Sequence, residues 1–242
     1  MSGHSKWNNI KRKKEKTDAQ KAKVFTKIGK EMAVAIRAGG ANPNNNSKLR
    51  ELIAKAKANN VPNDNIDRMI RKFSGDSTIT YEEKVFEGYG PAGVAVIVET
   101  TTDNNNRTAA NVRSYFSKFG GNMGQTGCVS YLFSEAGVIV VDNEDGDVDE
   151  ERLMEDALEA GATDFLADEG CFELHTEPDD LASVHEALEA KGYAILSAER
   201  AKLPSTYVRL TDEEDARHMA LLLERLEDDD DVQNVFHNWE EE

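Results

Sequence analysis

The chain has 242 residues, of which 39% are hydrophobic and 31% are charged, a composition typical of folded globular proteins with a very polar surface. No stretch approaches the roughly 18 apolar residues that a membrane-spanning helix needs, and the amino terminus carries charges without an apolar run behind them. We therefore expect a cytoplasmic protein without a membrane segment, in which Cys128 and Cys171 are buried and reduced.

The formal net charge of −17 is distributed very unevenly along the chain. Residues 1–75 contain 18 Lys and Arg against six Asp and Glu, a balance of +12, whereas the remaining residues carry a balance of −29. A basic segment of this kind is typical of a surface that binds nucleic acid. The alternative is that it docks on the acidic remainder of its own chain.

Three helices are predicted in the basic segment, after a first 17 residues that show little apolar periodicity and are expected to form a mobile arm or a frayed helix. From Asp18 the apolar residues recur at helical spacing until the glycines and proline of "AGGANP" end the helix. A second helix is predicted from about Ser47 to Ala58. The third begins near Pro62 and ends at "SG".

Each helix should bury one apolar row and present basic residues on the opposite side. On the first helix the basic residues that share this side are Lys23, Lys27, Lys30 and Arg37. On the third helix the outward residues are Arg68, Arg71 and Lys72. These side chains are candidates for contacts with phosphates.

After residue 78 the apolar period changes from that of a helix to that of a strand. Two strands are predicted around a Gly-Pro-Ala-Gly turn, followed by a helix that Gly120 and Gly121 end, and then by a strand at "CVSYLF". Residues 136–203 contain an internal repeat, "ALEAGATDFL" and "ALEAKGYAIL", and each copy lies between strand-like segments. Two such units predict a split βαβ, or ferredoxin-like, domain.

The last segment, with a strand, a helix and a strand, resembles half of such a domain. We expect it to pair with residues 80–134 across the inserted domain, because insertion points of compact domains tend to lie close together. The predicted class is therefore α+β, with a basic three-helix domain and two ferredoxin-like domains, one of them discontinuous. The predicted boundaries are 1–78 for the helical domain, 79–134 with 204–242 for the discontinuous domain, and 135–203 for the inserted domain.

Catalytic and cofactor motifs are weak. "GYGPAG" matches G-x-G-x-x-G, but a strand follows it and Pro91 removes an amide donor, so a hairpin turn is favoured over a phosphate site. Cys171, Glu173 and His175 alternate onto one strand face without a fixed pattern of metal ligands. We expect no catalysis, no cofactor and no metal.

Two further segments are candidates for binding nucleic acid. The arm offers phosphate contacts and one aromatic ring for stacking on a base, from Lys6, Trp7, Lys11, Arg12, Lys13 and Lys14. Trp7 could instead anchor the arm on the protein's own surface. In "TDNNNRTAANVR", Arg107 lies in the first turn of a helix and could complete an anion site there, or could pair with an acidic side chain.

Several short motifs occur in an order that resembles one family. They are "GHSKW", "EGYGPAGVA", "NNNRT", "KFGG", "PST" and "DDVQNVFHN", and together they are similar to the YebC/PmpR family, which includes the mitochondrial translational activator of cytochrome c oxidase. The resemblance implies a helical amino-terminal domain and two α/β domains, one discontinuous. It also implies a role in gene expression.

The resemblance leaves two roles open. Bacterial members are described as cytoplasmic DNA-binding transcriptional regulators, whereas the mitochondrial relatives and some bacterial ones are regarded as ribosome-associated factors that help difficult peptide bonds. We expect a non-enzymatic regulator of this DNA-binding type. The alternative is a translation factor that binds ribosomal RNA, and a third candidate is an acidic adaptor for protein partners.

Overall fold

The computed structural model describes residues 18–75, 79–168 and 170–240, with side chains from residue 22 onward. In this part of the chain, no helix combines the length and the apolar character that crossing a membrane requires. The described residues divide into two compact units. One contains residues 132–209 and 239–240, and the other contains residues 18–131 and 210–238.

The second unit begins with three helices: α1 (Asp18–Gly39), α2 (Ser47–Ala58) and α3 (Asn63–Ser74). The side chain of Asn46 caps α2 by accepting a hydrogen bond from the Leu49 amide at 3.0 Å. The buried core that the three helices share consists of Ile28, Met32, Ala35, Ile36, Leu49, Leu52, Ala56, Ile66 and Met69. The helices that apolar periodicity predicted are confirmed.

The chain continues with β1 (Glu82–Tyr89), a short 3₁₀ turn at Pro91–Gly93, β2 (Ala95–Thr102), α4 (Asn105–Lys118) and β3 (Asn122–Met123). β1 and β2 form an antiparallel hairpin in which Tyr89 lies opposite Ala95. The G-x-G-x-x-G segment is therefore the turn of this hairpin, as predicted, and it does not open a helix that could bind a phosphate.

The other unit contains β4 (Phe133–Asp142), α5 (Glu150–Ala160), β5 (Asp164–Asp168), β6 (Cys171–Thr176), α6 (Leu181–Ala190) and β7 (Ile195–Pro204). Its sheet has the order β5-β6-β4-β7 with antiparallel neighbours. This is the arrangement of a split βαβ fold. The helix-facing core contains Ile139, Val141, Leu153, Phe172, Leu174, Val184 and Leu188.

The last elements are β8 (Val208–Arg209), α7 (Glu213–Asp228), β9 (Val232–His237) and β10 (Trp239–Glu240). β9 pairs with β2, which gives a sheet of order β3-β1-β2-β9, and β10 pairs with β8 in parallel. Both sheets have four antiparallel strands. In this one the two central strands, β1 and β2, are consecutive in the chain, so the connections differ from those of a true split βαβ fold. The α+β class is confirmed.

The predicted strand at residues 128–133 is wrong. The segment forms turns followed by a 3₁₀ helix at Ser130–Leu132, and the strand β4 begins only at Phe133. The amides of Val129 and Ser130 donate to the Glu87 carboxylate at 2.9 Å, which replaces pairing with a neighbouring strand. Both cysteines are free thiols, as expected, but Cys128 is half-buried, whereas Cys171 is buried.

Candidate nucleic-acid interface

The predicted interface residues fall into two groups. The residues of the arm lie outside the described residues; they are Lys6, Trp7, Lys11, Arg12, Lys13 and Lys14. The remaining predicted residues lie on α1, α3 and α4, and all of them belong to the unit formed by residues 18–131 and 210–238. Their surroundings differ from one helix to the next.

The lysine row of α1, formed by Lys23, Lys27 and Lys30, contacts the carboxyl-terminal end of α7. The Lys23 ammonium donates to Asp228 Oδ1 at 2.8 Å, and Lys27 donates to the Glu227 carbonyl at 2.6 Å. Lys30 donates to the Asp230 carbonyl at 2.8 Å. A helix carboxyl terminus carries partial negative charge on its unpaired carbonyls, so it attracts cations even apart from the acidic side chains.

These contacts correct the expectation that the lysine row is an open surface. A phosphate could reach Lys30 only by displacing the acidic turn formed by residues 227–231, and at Lys23 and Lys27 it would compete with the contacts to that turn. The alternative considered from the charge balance, docking of the basic segment on its own acidic chain, describes this face of α1. Arg37 lies beyond the row, where its guanidinium donates to Thr80 Oγ1 at 2.6 Å and remains exposed.

Asp231 is the centre of this contact and is 4% exposed. Its Oδ1 accepts from Lys30 at 2.7 Å, and its Oδ2 accepts from Arg107 at 2.7 Å and from Thr108 Oγ1 at 2.8 Å. Burial alone would raise the pKa of Asp231, but the bonds from Lys30, Arg107 and Thr108 outweigh it and lower the pKa to about 2. The buried carboxylate is therefore charged and fully partnered.

Of the two roles expected for Arg107, anion binding and pairing with an acidic side chain, the structure shows the second. The side chain of Asn104 caps α4 by accepting from the Arg107 amide at 3.1 Å, as the asparagine-rich segment suggested. The guanidinium, however, pairs with Asp231 and, at 2.7 Å, with Asp103. The hydrogen bonds that it donates to these two carboxylates raise the pKa of Arg107. The guanidinium is engaged by acidic groups, so the predicted anion site at this helix start is corrected.

The basic residues of α2 and α3 have different surroundings. The exposed ones are Lys48, Arg50, Lys57, Arg68, Arg71 and Lys72. Arg71 Nε donates to the Asp67 carbonyl at 3.3 Å, and Lys72 Nζ lies 5.2 Å from the centre of the Phe73 ring. Among residues 18–75, 79–168 and 170–240, no carboxylate forms a salt bridge with the three basic side chains of α3.

Three of these residues, Lys48, Arg50 and Lys57, were not singled out from the sequence. The apolar periodicity could have identified them, because they occupy positions of α2 away from the buried Leu49, Leu52 and Ala56.

A four-residue connection, 59–62, joins α2 to α3 and includes Asn60 with a φ of 57°. A short turn of this length between two helices is typical of a helix-turn-helix pair.

Two of the three candidate metal ligands on β6, Glu173 and His175, contact each other. His175 Nε2 lies 2.7 Å from Glu173 Oε1, and both side chains are buried. Burial and nearby carboxylates raise the pKa of Cys171 to about 12, so its thiol is protonated and a poor ligand. In the described part of the chain, no group of three or more His, Cys, Asp or Glu residues is arranged to hold a metal.

Comparison with known proteins gives a family match for two successive parts of the chain. Residues 5–76 match the family described as "TACO1/YebC protein N-terminal domain", and residues 81–239 match "TACO1/YebC second and third domain". The chain belongs to the TACO1/YebC family. The resemblance that the short motifs indicated is thereby confirmed.

Relatives within the TACO1/YebC family match over the full length of the chain. A protein from Ruminiclostridium cellulolyticum is 57% identical over 100% of this chain and 98% of its own, and one from Agathobacter rectalis is 54% identical over 100% of both. Both are named "Probable transcriptional regulatory protein". The crystal structure of a conserved hypothetical protein from Aquifex aeolicus matches with a TM-score of 0.84 and 46% identity, over 93% of this chain and 92% of that one.

Proposed function

We propose that this chain is a non-catalytic, cytoplasmic regulator of gene expression that binds nucleic acid through the exposed basic residues of α2 and α3. The observation that carries the proposal is the contrast between the lysine row of α1, which donates to carboxylates and carbonyls of the acidic turn 227–231, and the six exposed cations of the next two helices. The names of the relatives support a regulator at the level of the family. They do not identify its ligand.

Binding through these residues would be mainly electrostatic. Lys and Arg neutralise phosphates and release counterions, so affinity falls as salt rises, whatever the sequence of the nucleic acid. The acidic remainder of the chain repels a polyanion and would orient the helices toward it. The basic arm, with Lys6, Lys11, Arg12, Lys13 and Lys14, would add further phosphate contacts, and Trp7 a base contact.

Duplex DNA is the ligand that the α2–α3 pair favours. In helix-turn-helix proteins the second helix lies in the major groove while the first crosses the backbone. Here α3 would be the second helix, and its outward Arg68, Arg71 and Lys72 would reach base edges or phosphates. Arg in particular can donate two hydrogen bonds to guanine.

Ribosomal RNA is a second candidate, in keeping with a ribosome-associated translation factor. RNA that is not a regular duplex is bound through phosphate contacts and stacked bases, which requires no recognition helix. The observation that favours it is an exposed tyrosine, Tyr131, 72% exposed on an uncharged loop. An acidic adaptor for protein partners would leave the exposed cations of α2 and α3 without a role.

The proposal is tested by replacing Arg68, Arg71 and Lys72 together with alanine. A matched control replaces Arg113, Lys118 and Arg217, which are also exposed and lie in the acidic part of the same unit. Both triple variants have the same net charge. Affinity for a DNA duplex and for a ribosomal RNA fragment is measured by titration at several salt concentrations.

We expect the α3 variant alone to bind weakly, with the slope of log affinity against log salt reduced by about 0.7 to 0.9 for each phosphate that the variant no longer neutralises. Equal decreases in affinity for the two variants would show that only net charge matters, and an unchanged α3 variant would remove α3 from the interface. Sedimentation with ribosomes, against recovery of promoter fragments, then separates the two ligands.

A further inference from the structure

An uncharged surface interrupts the otherwise highly charged exterior of the chain. Residues 88–98 and 119–134 contain no Asp, Glu, Lys or Arg, although 31% of the whole chain is charged. β3 brings the two segments together, since Gly88 lies opposite Met123 and Tyr89 opposite Asn122. We call residues 121–131 the glycine loop. It lies beside the β1–β2 turn, where Gly93 is exposed.

The glycine loop is held in place by one buried carboxylate. Glu87 is 3% exposed, and its Oε1 accepts from the Gly127 amide at 2.8 Å. Its Oε2 accepts from the amides of Val129 and Ser130, both at 2.9 Å. Burial raises the pKa of Glu87, but these three hydrogen bonds outweigh it and lower the pKa, so the carboxylate is charged. Three charge-assisted bonds hold residues 127–130 of the loop in place.

The loop presents one aromatic ring to solvent. Tyr131 is 72% exposed, more than any other large apolar side chain among the described residues. The neighbouring hydroxyl of Tyr131 raises the pKa of Tyr89. The Tyr89 hydroxyl in turn donates to the Cys128 carbonyl at 3.0 Å. Tyr131 therefore lies beside Tyr89 while most of its surface remains open.

We infer that the Tyr131 ring and the glycine loop form a stacking site for an unpaired nucleobase. The inference rests on the proposed function, because it assigns a second contact to the nucleic acid that α2 and α3 would bind. The helices and the loop belong to the same compact unit. A ring of this kind binds any base, because every base has a π-face, and it contributes affinity without neutralising a phosphate.

The chemistry of the surroundings favours a base over a phosphate. The loop has no cation of its own, and the chain beyond residue 75 carries a balance of −29, which repels phosphates. The bases are the uncharged part of a nucleic acid. Gly127, with a φ of +89°, has open space where a side chain would point, so a planar ligand can approach the backbone there.

A protein partner is the other class that such a surface could contact, since the cores of protein interfaces are also poor in charge and rich in tyrosine. Nucleic acid is favoured here because exposed cations on the same unit already indicate it. A stacking site also makes a distinct prediction, namely a preference for single strands to which the ring adds affinity without changing the salt slope. That preference separates the two partners experimentally.

The test uses the full chain and the variants Tyr131→Ala and Tyr131→Phe. The control is Leu158→Ala, which removes another well exposed apolar side chain, from α5 in the other unit. The probes are a labelled oligouridylate of about 12 nucleotides, within the site sizes known for single-strand binders, the oligothymidylate of the same length, and a matched duplex. Affinity is measured by fluorescence anisotropy over a range of salt concentrations.

Tyr131→Ala should weaken binding of the single strands on the order of ten- to a hundredfold, leave the duplex almost unaffected and leave the salt slope unchanged. Tyr131→Phe should retain most of the affinity, because the ring remains. Leu158→Ala should behave as the unmodified chain does. The midpoint of urea unfolding should be the same for all variants, since both side chains are exposed.

Undiminished binding of the single strands by Tyr131→Ala would overturn the inference and leave the surface to a protein partner. An equally weakened Tyr131→Phe would overturn it as well, since the hydroxyl rather than the ring would then be responsible. Either result leaves the proposed function standing if the unmodified chain binds duplex with a steep salt dependence. If the unmodified chain binds no nucleic acid, the proposed function itself fails.

Discussion

The lysine row of α1 and the basic residues of α2 and α3 belong to one continuous stretch of chain, yet their positive charges have opposite surroundings. The lysines of α1 contact the acidic turn 227–231, and Lys30 reaches the buried Asp231. Arg68, Arg71 and Lys72 point to solvent. A local excess of positive charge therefore does not by itself identify a binding surface, because part of the excess can stabilise the fold.

The largest expected effect tests the internal contact. Asp231→Ala should lower the free energy of unfolding by about 3 to 5 kcal/mol, because it leaves the ammonium of Lys30 and the guanidinium of Arg107 without their shared carboxylate. Urea unfolding measures this change. The control is Asp228→Ala, which removes a half-exposed partner of Lys23. If the two variants were equally destabilised, Asp231 would not be the centre of the contact.

The same carboxylate predicts how stability depends on pH. The pKa of Asp231 is lowered to about 2 in the folded protein, against about 3.9 for an unperturbed aspartate. Its contribution of about 2 to 3 kcal/mol is complete above the unfolded pKa and is lost as pH falls through the folded pKa. Urea unfolding between neutral pH and about pH 2.5 should therefore show a steeper acid destabilisation for the unmodified chain than for Asp231→Ala. Parallel curves would contradict the assignment.

A smaller effect is expected at the exposed end of the lysine row. Lys23 and Asp228 are both about half exposed, at 42% and 49%, so Lys23→Ala should cost only about 0.2 to 1 kcal/mol. The cost should shrink further at high salt, where exposed charges are screened. Chemical unfolding at low and high salt measures both. A cost as large as that of Asp231→Ala would mean that the contact is uniform along the row.

The smallest effect on stability is expected on α3. Replacing Arg68, Arg71 and Lys72 with alanine should change the free energy of unfolding by no more than about 0.5 kcal/mol per site, because exposed side chains outside a network contribute little. The same variant should bind nucleic acid less tightly. Thermal and urea unfolding check the first statement. Marked destabilisation would show that these cations also have structural partners.

Local patterns predicted the helices and the hairpin turn because the causes are local. The apolar spacing around Ile28 and Met32 defines the buried side of α1, and Pro91 with two flanking glycines defines the turn. The patterns failed where the partner is remote. Residues 128–130 do not form a strand because the amides of Val129 and Ser130 donate to Glu87, some 40 residues earlier.

The engagement of the basic residues also depends on remote partners. Lys30 and Asp231 are 201 residues apart, and Arg107 and Asp231 are 124 apart. The spacing of the lysines on α1 indicates that they share a side of the helix, but no local signal tells whether that side faces solvent or the end of α7. The charge balance left both answers open, and only the pairing of β2 with β9 brings the acidic turn to α1.

The pairing of β2 with β9 has a consequence for synthesis of the chain. Ribosomes deliver the amino-terminal part first, and units made of neighbouring segments can fold as they emerge. The sheet of residues 133–204 is such a unit. β2, by contrast, pairs early with β1 but acquires its second neighbour only when residues 232–237 have been made, and until then the apolar edge "AVIV" is open to other chains. We expect this edge to be the part of the nascent protein that depends most on chaperones.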